Sequence, residues 1–431
     1  MRIVIIGGGA GGLELATKLG RKLGRKNKAE ILLIDKNQVH LWKPLLHEVA
    51  TGTLDFEVDS VSYRAHAYNN HFKFKIGSLT GINREKQFIT LQSLSDSDGE
   101  EVLPERQIDY DQLVIAIGSI SNDFGTPGIA EHCTFLDSAA QAVKFQKKLI
   151  NSFIRINKYR ETDSSQNLKV AIVGAGATGV ELSAELYNAR HWFNLYGLSN
   201  ITHQNLEVTL IEAGPRLLPA LSERIGSGVH NELKKLGVNI LTSTRVVRAN
   251  KKQLVTADEK VIHADLMVWA AGVKAPDFLK NFGGLQTNRM NQLLVNEYLQ
   301  TFDDPNIFAL GDCAARQLDE TLWVPPRAQS AHQMASCIYK NIVSIYSNRP
   351  LKPFTYKDHG SLVSLSRYST IGNLMGNFAK SGWNIHGKLA RMAYLSLYRM
   401  HQAALHGWFK TIIMILVERI NHVIRPRLKL H

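Results

Sequence analysis

Two short glycine loops, Gly7-Gly8-Gly9-Ala10-Gly11-Gly12 and Gly174-Ala175-Gly176-Ala177-Thr178-Gly179, constrain this chain more than any other feature. Both follow the spacing G-x-G-x-x-G, at Gly7, Gly9 and Gly12 and again at Gly174, Gly176 and Gly179. Each comes straight after an apolar run, Ile3 to Ile6 and Val170 to Val173, of the kind that forms a parallel strand buried on both faces. In that setting the three glycines serve a tight turn, close approach of the backbone to a pyrophosphate, and close strand–helix packing. The helix that begins in the loop aims its free N–H groups and positive dipole end at the phosphates. Two such loops predict two dinucleotide-binding folds.

Each loop has an acid to match. Asp35 ends the apolar run Ile31 to Ile34, about 20 residues beyond Gly12, where it can accept hydrogen bonds from a ribose. Glu212 ends the run Val208 to Ile211 after the second loop. Its spacing is longer, which Asn188 to Asn205 accounts for as an insertion or an extended helix. An acid at Glu212 favours NADH, because it repels a 2′-phosphate; Arg216 nearby is the counterweight. The alternatives are a structural glycine turn and, for the second loop, a fold kept as scaffold without ligand.

Around the loops, Leu13, Ala16 and Leu19 mark one face of a helix. Residues 86 to 110 read as a hairpin excursion with a polar turn at Ser95 to Gly99, and Leu113 to Ile117 as another buried strand. Glu161 to Asn167 reads as a linker into a second unit that starts at Lys169 and extends to Ala271. Ile307 to Leu310 is a further strand, and a helix follows Pro325-Pro326.

A chain of 431 residues predicts two or three domains. Its three cysteines, Cys133, Cys313 and Cys337, are scattered and form no CxxC pair, which argues against a disulfide framework or a zinc site; no metal is expected. There is no apolar leader, so no secretion is expected, and no apolar run of about 18 residues that would span a bilayer. The net charge of +13 calls for an acidic partner. From 380 onward there are nine basic residues (Lys380, Lys388, Arg391, Arg399, Lys410, Arg419, Arg425, Arg427, Lys429) against one acid, Glu418. Interleaved with them are Trp408, Phe409, Ile412, Ile413, Ile415, Leu416 and Ile420. That pattern suits an amphipathic helix lying on an anionic membrane surface. The competing reading is a core helix docked on the rest of the protein. No recognition motif accompanies the charge, so nucleic acid is not expected.

The chain resembles the type II NADH:quinone oxidoreductases, the single-subunit, non-pumping kind, over its whole length. The residues that carry the resemblance are Gly7 to Gly12, Lys43-Pro44-Leu45-Leu46, Tyr110 to Ser119, Gly174 to Glu181, Gly311-Asp312, Ala328 to Gln333 after Pro325-Pro326, and the end of the chain, Tyr398 to His431. It implies an α/β fold with two Rossmann-like dinucleotide-binding domains plus a C-terminal amphipathic membrane-anchoring region. The expected division is an FAD-binding domain over 1–122 and 295–345, an NADH-binding domain over 168–294, and a membrane-association region over 346–431. The implied activity passes electrons from NADH through FAD to a membrane quinone without pumping protons, at the cytoplasmic face of a bacterial inner membrane. The resemblance leaves room for a homodimer.

The cofactor contacts it implies are Gly7, Gly9, Ala10, Gly11, Gly12, Asp35, Lys36, Lys43, Ala116, Gly118, Gly311, Asp312, Ala328 and Gln329 around the flavin. Around the nicotinamide nucleotide they are Gly174, Gly176, Ala177, Thr178, Gly179, Glu181, Glu212 and Gly272. It also places Gln329 and His332 at the quinone head group and Glu181 between the reactants as a proton relay. From the residues alone, Gln329 and His332 are a polar pair on one helix face, and Glu181 is equally a carboxylate that interacts with its helix dipole. Sulfide:quinone oxidoreductases and other two-fold flavoproteins are the rival readings, and the three cysteines keep the first of them open.

Overall fold

The computed structural model describes the chain except residues 190–196, 199, 202–204, 366–368, 375–382, 387–397 and 425–431. The described chain divides into two compact units, each assembled from three segments. The first comprises Met1–Trp42, Ser60–Ile120 and Lys274–Lys357; the second comprises Lys43–Asp59, Ser121–Val273 and Asp358–His431.

In the first unit the apolar runs form a five-stranded parallel sheet, in the order Ile307–Ala309, Gln112–Ile115, Arg2–Ile6, Glu30–Asp35, Lys73–Ile76. The helix Ala10–Lys22 buries Leu13, Ala16 and Leu19 completely, as the periodicity predicts. It packs against the long helix Ala328–Tyr346. The hairpin excursion is larger than the sequence suggests. A three-stranded antiparallel sheet, Leu79–Asn83, Phe88–Leu91 and Arg106–Asp109, is joined by a separate small hairpin, Leu94–Ser95 with Glu101–Leu103. The polar turn at Ser95 to Gly99 belongs to the small hairpin.

The second unit repeats the plan. Its parallel sheet runs Asn239–Leu241, Leu206–Ile211, Leu168–Val173, Leu266–Trp269. An antiparallel sheet of Val246–Asn250, Gln253–Thr256 and Val261–His263 again precedes the return strand. In both units the glycine loop leaves the strand flanked by the next strand on one side and the return strand on the other. That is where the order of an open parallel sheet reverses and a crevice opens at its carboxyl end.

The second unit also takes in Lys43–Asp59. The helix Ala139–Tyr159 buries Phe145, Leu149 and Phe153 and packs against the helix Leu46–Thr51, which draws Lys43–Asp59 into the second unit. A capping box between Ser138 and Gln141 starts the long helix. The polar stretch after it is a tied turn rather than a loose linker. The Arg160 guanidinium donates to the carbonyls of Gln166 and Asn200, each at 2.9 Å. Most of the insertion read at Asn188 to Asn205 lies outside the described residues.

Candidate active site

The two loops coincide down to individual hydrogen bonds. Gly7 N donates to the Ile34 carbonyl at 2.7 Å, and Gly174 N to the Ile211 carbonyl at 2.8 Å. Both glycines have left-handed backbones, φ 102° and 103°. A Cβ on Gly12 would lie 1.9 Å from the Gly7 carbonyl oxygen, and one on Gly179 2.0 Å from that of Gly174, so the third glycine lets helix and strand touch. A Cβ on Gly9 or Gly176, by contrast, would meet nothing within 4 Å. These middle glycines line open space, as a cradle for a pyrophosphate requires. No side chain caps the first helix at Gly9, so its leading N–H groups face that space.

The two acids also coincide. One Asp35 oxygen accepts from Gly8 N at 2.7 Å and the other from Asn37 N at 2.7 Å. One Glu212 oxygen accepts from Ala175 N at 2.8 Å and the other from Gly214 N at 2.8 Å. Each carboxylate fixes the residue after the first glycine and keeps lone pairs for a ribose. Arg216 donates to the Leu221 and Pro219 carbonyls of its own loop, at 2.8 and 2.9 Å. A guanidinium so engaged weakens the counterweight that the sequence raised against NADH.

The first unit gathers most of its remaining sequence-marked residues at the same sheet end. Ala116 N bonds to the Ile6 carbonyl at 2.7 Å, and its own carbonyl closes against Gly7. Gly118 and Gly311 have left-handed backbones. Asp312 accepts from the Ser119 hydroxyl at 2.7 Å. Ala328 begins the long helix, Gln329 and His332 are half-buried on its first turns, and no side chain caps it at Arg327. Lys36 is exposed beside Asp35. The second unit holds Ala177 and Thr178 at the start of the helix Ala177–Ala189. In the same unit Gly272 lies under the Phe124 ring and Lys43 is exposed.

Sequence reasoning missed the groups that set the charge at these helices. Glu14, two residues past the last glycine of the first loop, is almost fully buried. It accepts from Lys18 Nζ at 2.5 Å and pairs with His332 Nδ1. Burial pushes its carboxyl up, but His332 and Lys18 outweigh burial and hold it below the ordinary value. Glu181 holds the same place after the second loop, also buried. One oxygen accepts from Ser364 N at 3.0 Å, and the other lies 3.6 Å from His47 Nδ1. Burial pushes it up to about 8, the Ser364 N–H opposing and the neighbouring Glu185 adding to the rise. At neutral pH the Glu181 carboxyl is therefore mostly protonated.

The cysteines do not suit redox chemistry. Burial pushes the Cys133 and Cys313 thiols up to about 12 and Cys337 to about 11. A reactive thiol needs the opposite shift.

A family model described as pyridine nucleotide-disulphide oxidoreductase matches residues 1–335. The type II NADH:quinone oxidoreductase of Haemophilus influenzae is 50% identical over 441 residues, which cover 100% of this chain and 99% of that protein. The type II NADH:quinone oxidoreductase of Staphylococcus aureus is 29% identical over 385 residues, 87% of this chain and 90% of that protein. Among solved structures, NDH2 from Plasmodium falciparum in complex with NADH aligns with a TM-score of 0.79 at 20% identity, covering 99% of each chain. The sulfide:quinone oxidoreductase of Aquifex aeolicus aligns with a TM-score of 0.72 at 19% identity, covering 94% of this chain and 92% of that one. At those identities the structures speak for the two-fold α/β architecture, which both share, and the full-length sequence match decides between them. The chain belongs to the pyridine nucleotide-disulphide oxidoreductase family and, within it, to the type II NADH:quinone oxidoreductases.

Proposed function

We propose that this chain oxidises NADH and reduces a membrane quinone, with FAD as resident cofactor and no proton pumping. One observation carries the reading: two complete nucleotide loops with matching acid clamps, in a chain whose three thiols are all held protonated by burial. The first unit suits FAD. The Gly9 cradle and the uncapped helix ends at Gly9 and Arg327 offer N–H groups to phosphates and to the flavin ring. When bound, FAD supplies the redox chemistry, taking hydride from NADH and passing two electrons on.

The chain's own residues bind, orient and move protons. Asp35 and Glu212 each hold a ribose. Glu14 fixes the His332 imidazole, which with Gln329 faces the acceptor. Glu181 holds a proton at its buried carboxyl, ready for the acceptor. The first unit is the FAD domain and the core of the second the NADH domain in this reading.

Membrane contact rests on the helix Trp408–Ile424. Trp408, Phe409, Ile412, Ile413, Leu416, Val417 and Ile420 are all exposed on it. An apolar surface of that extent suits a lipid interface better than docking on a core. No helix among the described residues is long and apolar enough to cross a membrane. Of the basic residues, Lys380, Lys388, Arg391, Arg425, Arg427 and Lys429 lie outside the described residues, and nothing of the Arg419 side chain is described. Attachment at the cytoplasmic face and pairing into a homodimer belong to the same proposal. Flotation with anionic vesicles and sedimentation of the purified protein test membrane contact and pairing.

Anaerobic titration decides the central reaction. NADH is expected to bleach the flavin absorbance stoichiometrically, and a soluble quinone to restore it. Bleaching by sulfide but not by NADH would overturn the reading in favour of a sulfide oxidiser.

A further inference from the structure

The relay role of Glu181 leaves a question: how does a carboxyl sealed in the second unit recover its proton? The helix Leu46–Thr51 offers an answer. It brings His47, itself only 4% exposed, between two carboxylates. Nδ1 lies 3.6 Å from Glu181 Oε2, and Nε2 lies 3.9 Å from Oε1 of Glu48, whose side chain is 27% exposed. Both gaps are longer than a direct hydrogen bond, as catalytic contacts often are before a reactant is bound. An imidazole is suited to this place because its two nitrogens open in different directions.

We propose that His47 is the relay through which Glu181 is reprotonated, linking it to solvent at Glu48. This rests on the proposed role of Glu181. His47 acts through Glu181 and touches no reactant, so it is a positioning residue for that proton.

The step balances. The Glu181 O–H bond breaks, the proton goes to the acceptor, and the electron pair stays on the carboxylate. A proton from water then binds His47 Nε2. The Nδ1–H bond breaks toward Glu181 Oε2, leaving a neutral imidazole. Loss of the Nε2 proton to solvent and uptake of one at Nδ1 reset the tautomer.

The surroundings favour this order. Burial holds His47 below its ordinary value, with Glu185 and the Pro44 carbonyl opposing, so the resting imidazole is neutral. Once Glu181 is ionised, a new negative charge faces Nδ1 in a place of low dielectric, and the imidazole gains affinity for a proton at that moment. Glu185, also buried and held by Asn188 Nδ2 at 2.8 Å, adds negative charge to the same place. The helix Ala139–Tyr159, packed on His47's helix, buries only uncharged residues, Phe145 and Leu149 among them. The strand Gly360–Leu365 contributes the Ser364 N–H. The helix Glu223–Leu236, which packs behind Glu181's helix, buries Ile225, Gly226, Val229 and Leu233.

The test uses the flavin-loaded protein and two variants, His47→Phe and His47→Gln, so that failure of one to fold leaves the other. The first readout is independent of turnover: deuterium exchange of the protonated-carboxyl infrared band that disappears in Glu181→Gln. The second is the pH profile of the quinone step in stopped flow, with and without free imidazole. Both variants are expected to slow exchange and the quinone step by about 100-fold, the low end for a positioned proton-transfer group, and imidazole to restore the Phe variant in part. Wild-type rates of exchange and quinone reduction across the pH range in either folded variant overturn the relay alone. A wild-type protein that NADH does not bleach overturns the parent reading and the relay with it.

Discussion

Glu14 and Glu181 occupy the same position in the two units, each two residues beyond the last glycine of its loop and each almost fully buried. Their proton affinities nevertheless move in opposite directions. Glu14 is held below the ordinary carboxylate range, and Glu181 rises to about 8. The pairing of Glu14 with His332 weighs most in that difference, and the residue one helical turn further on adds a smaller part. It is Lys18 after Glu14 and Glu185 after Glu181, one cation and one acid at the spacing where side chains meet on a helix. The histidine partners finish the contrast. His332 pairs directly with Glu14, while His47 is buried, neutral and 3.6 Å from Glu181. One duplicated framework thus yields an ionised carboxylate in the first unit and a protonated carboxyl in the second.

The largest way to break this contrast is to remove the transferable proton. Glu181→Gln keeps the shape but cannot release one, and quinone reduction is expected to fall by about 100-fold to 10,000-fold. Bleaching by NADH in stopped flow is expected to persist, which separates a lost proton from a lost fold. Gly179→Ala attacks the framework instead. Its Cβ would lie 2.0 Å from the Gly174 carbonyl oxygen, and the overpacking costs about 1–3 kcal/mol. Its expected signature is a raised KM for NADH together with a lower Tm.

Glu185→Lys converts the second unit to the arrangement of the first. Glu181 is then expected to ionise well below about 8, so the alkaline limb of the quinone-step profile moves toward acid. One unit of that movement leaves about half of Glu181 protonated at neutral pH, a loss of roughly twofold; two units give roughly tenfold. An unmoved limb would mean that burial alone sets Glu181.

Stability against pH provides a gentler comparison. The folded value of Glu181, about 8, exceeds its unfolded value, taken as 4.5. The folded state therefore binds the extra proton between those values, and stability falls as pH rises through that window. The full difference is at most roughly 5 kcal/mol. Denaturant curves are expected to show Glu181→Gln gaining on wild type from pH 4.5 to 8 and level on either side. Glu14 has the opposite sign: its contribution is present above its unfolded value and lost as pH falls through the lower folded one. The smallest effect is that of Lys18→Ala. Its side chain is 31% exposed, so the loss is about 1 kcal/mol, visible as a small drop in Tm.

The loops, their strands and both ribose acids were legible in the sequence because their signals are local. Glycine spacing, an apolar run and one acid all fall within a single β–loop–α–β unit. The return strands Gln112–Ile115 and Leu266–Trp269 could be read too, as buried apolar runs. What the sequence did not reveal depends on packing between distant segments. His47 meets Glu181 only because Leu46–Thr51 leaves the run of the first unit and packs in the second. Glu14 meets His332 across two helices more than three hundred residues apart. Even so, a carboxylate between Leu13 and Leu15 on an otherwise apolar helix face was a visible signal of a buried partner. The exposed face of Trp408–Ile424 was legible as an amphipathic pattern, since the alternation of aromatic, aliphatic and basic residues is again local.

The most direct test of the contrast is the ionisation of Glu181 itself, followed as the protonated-carboxyl infrared band that Glu181→Gln abolishes. The account expects that band to be present at pH 7 and half lost near 8. Its absence at pH 7, with half-loss near the ordinary carboxylate value, would contradict a proton held ready in the second unit.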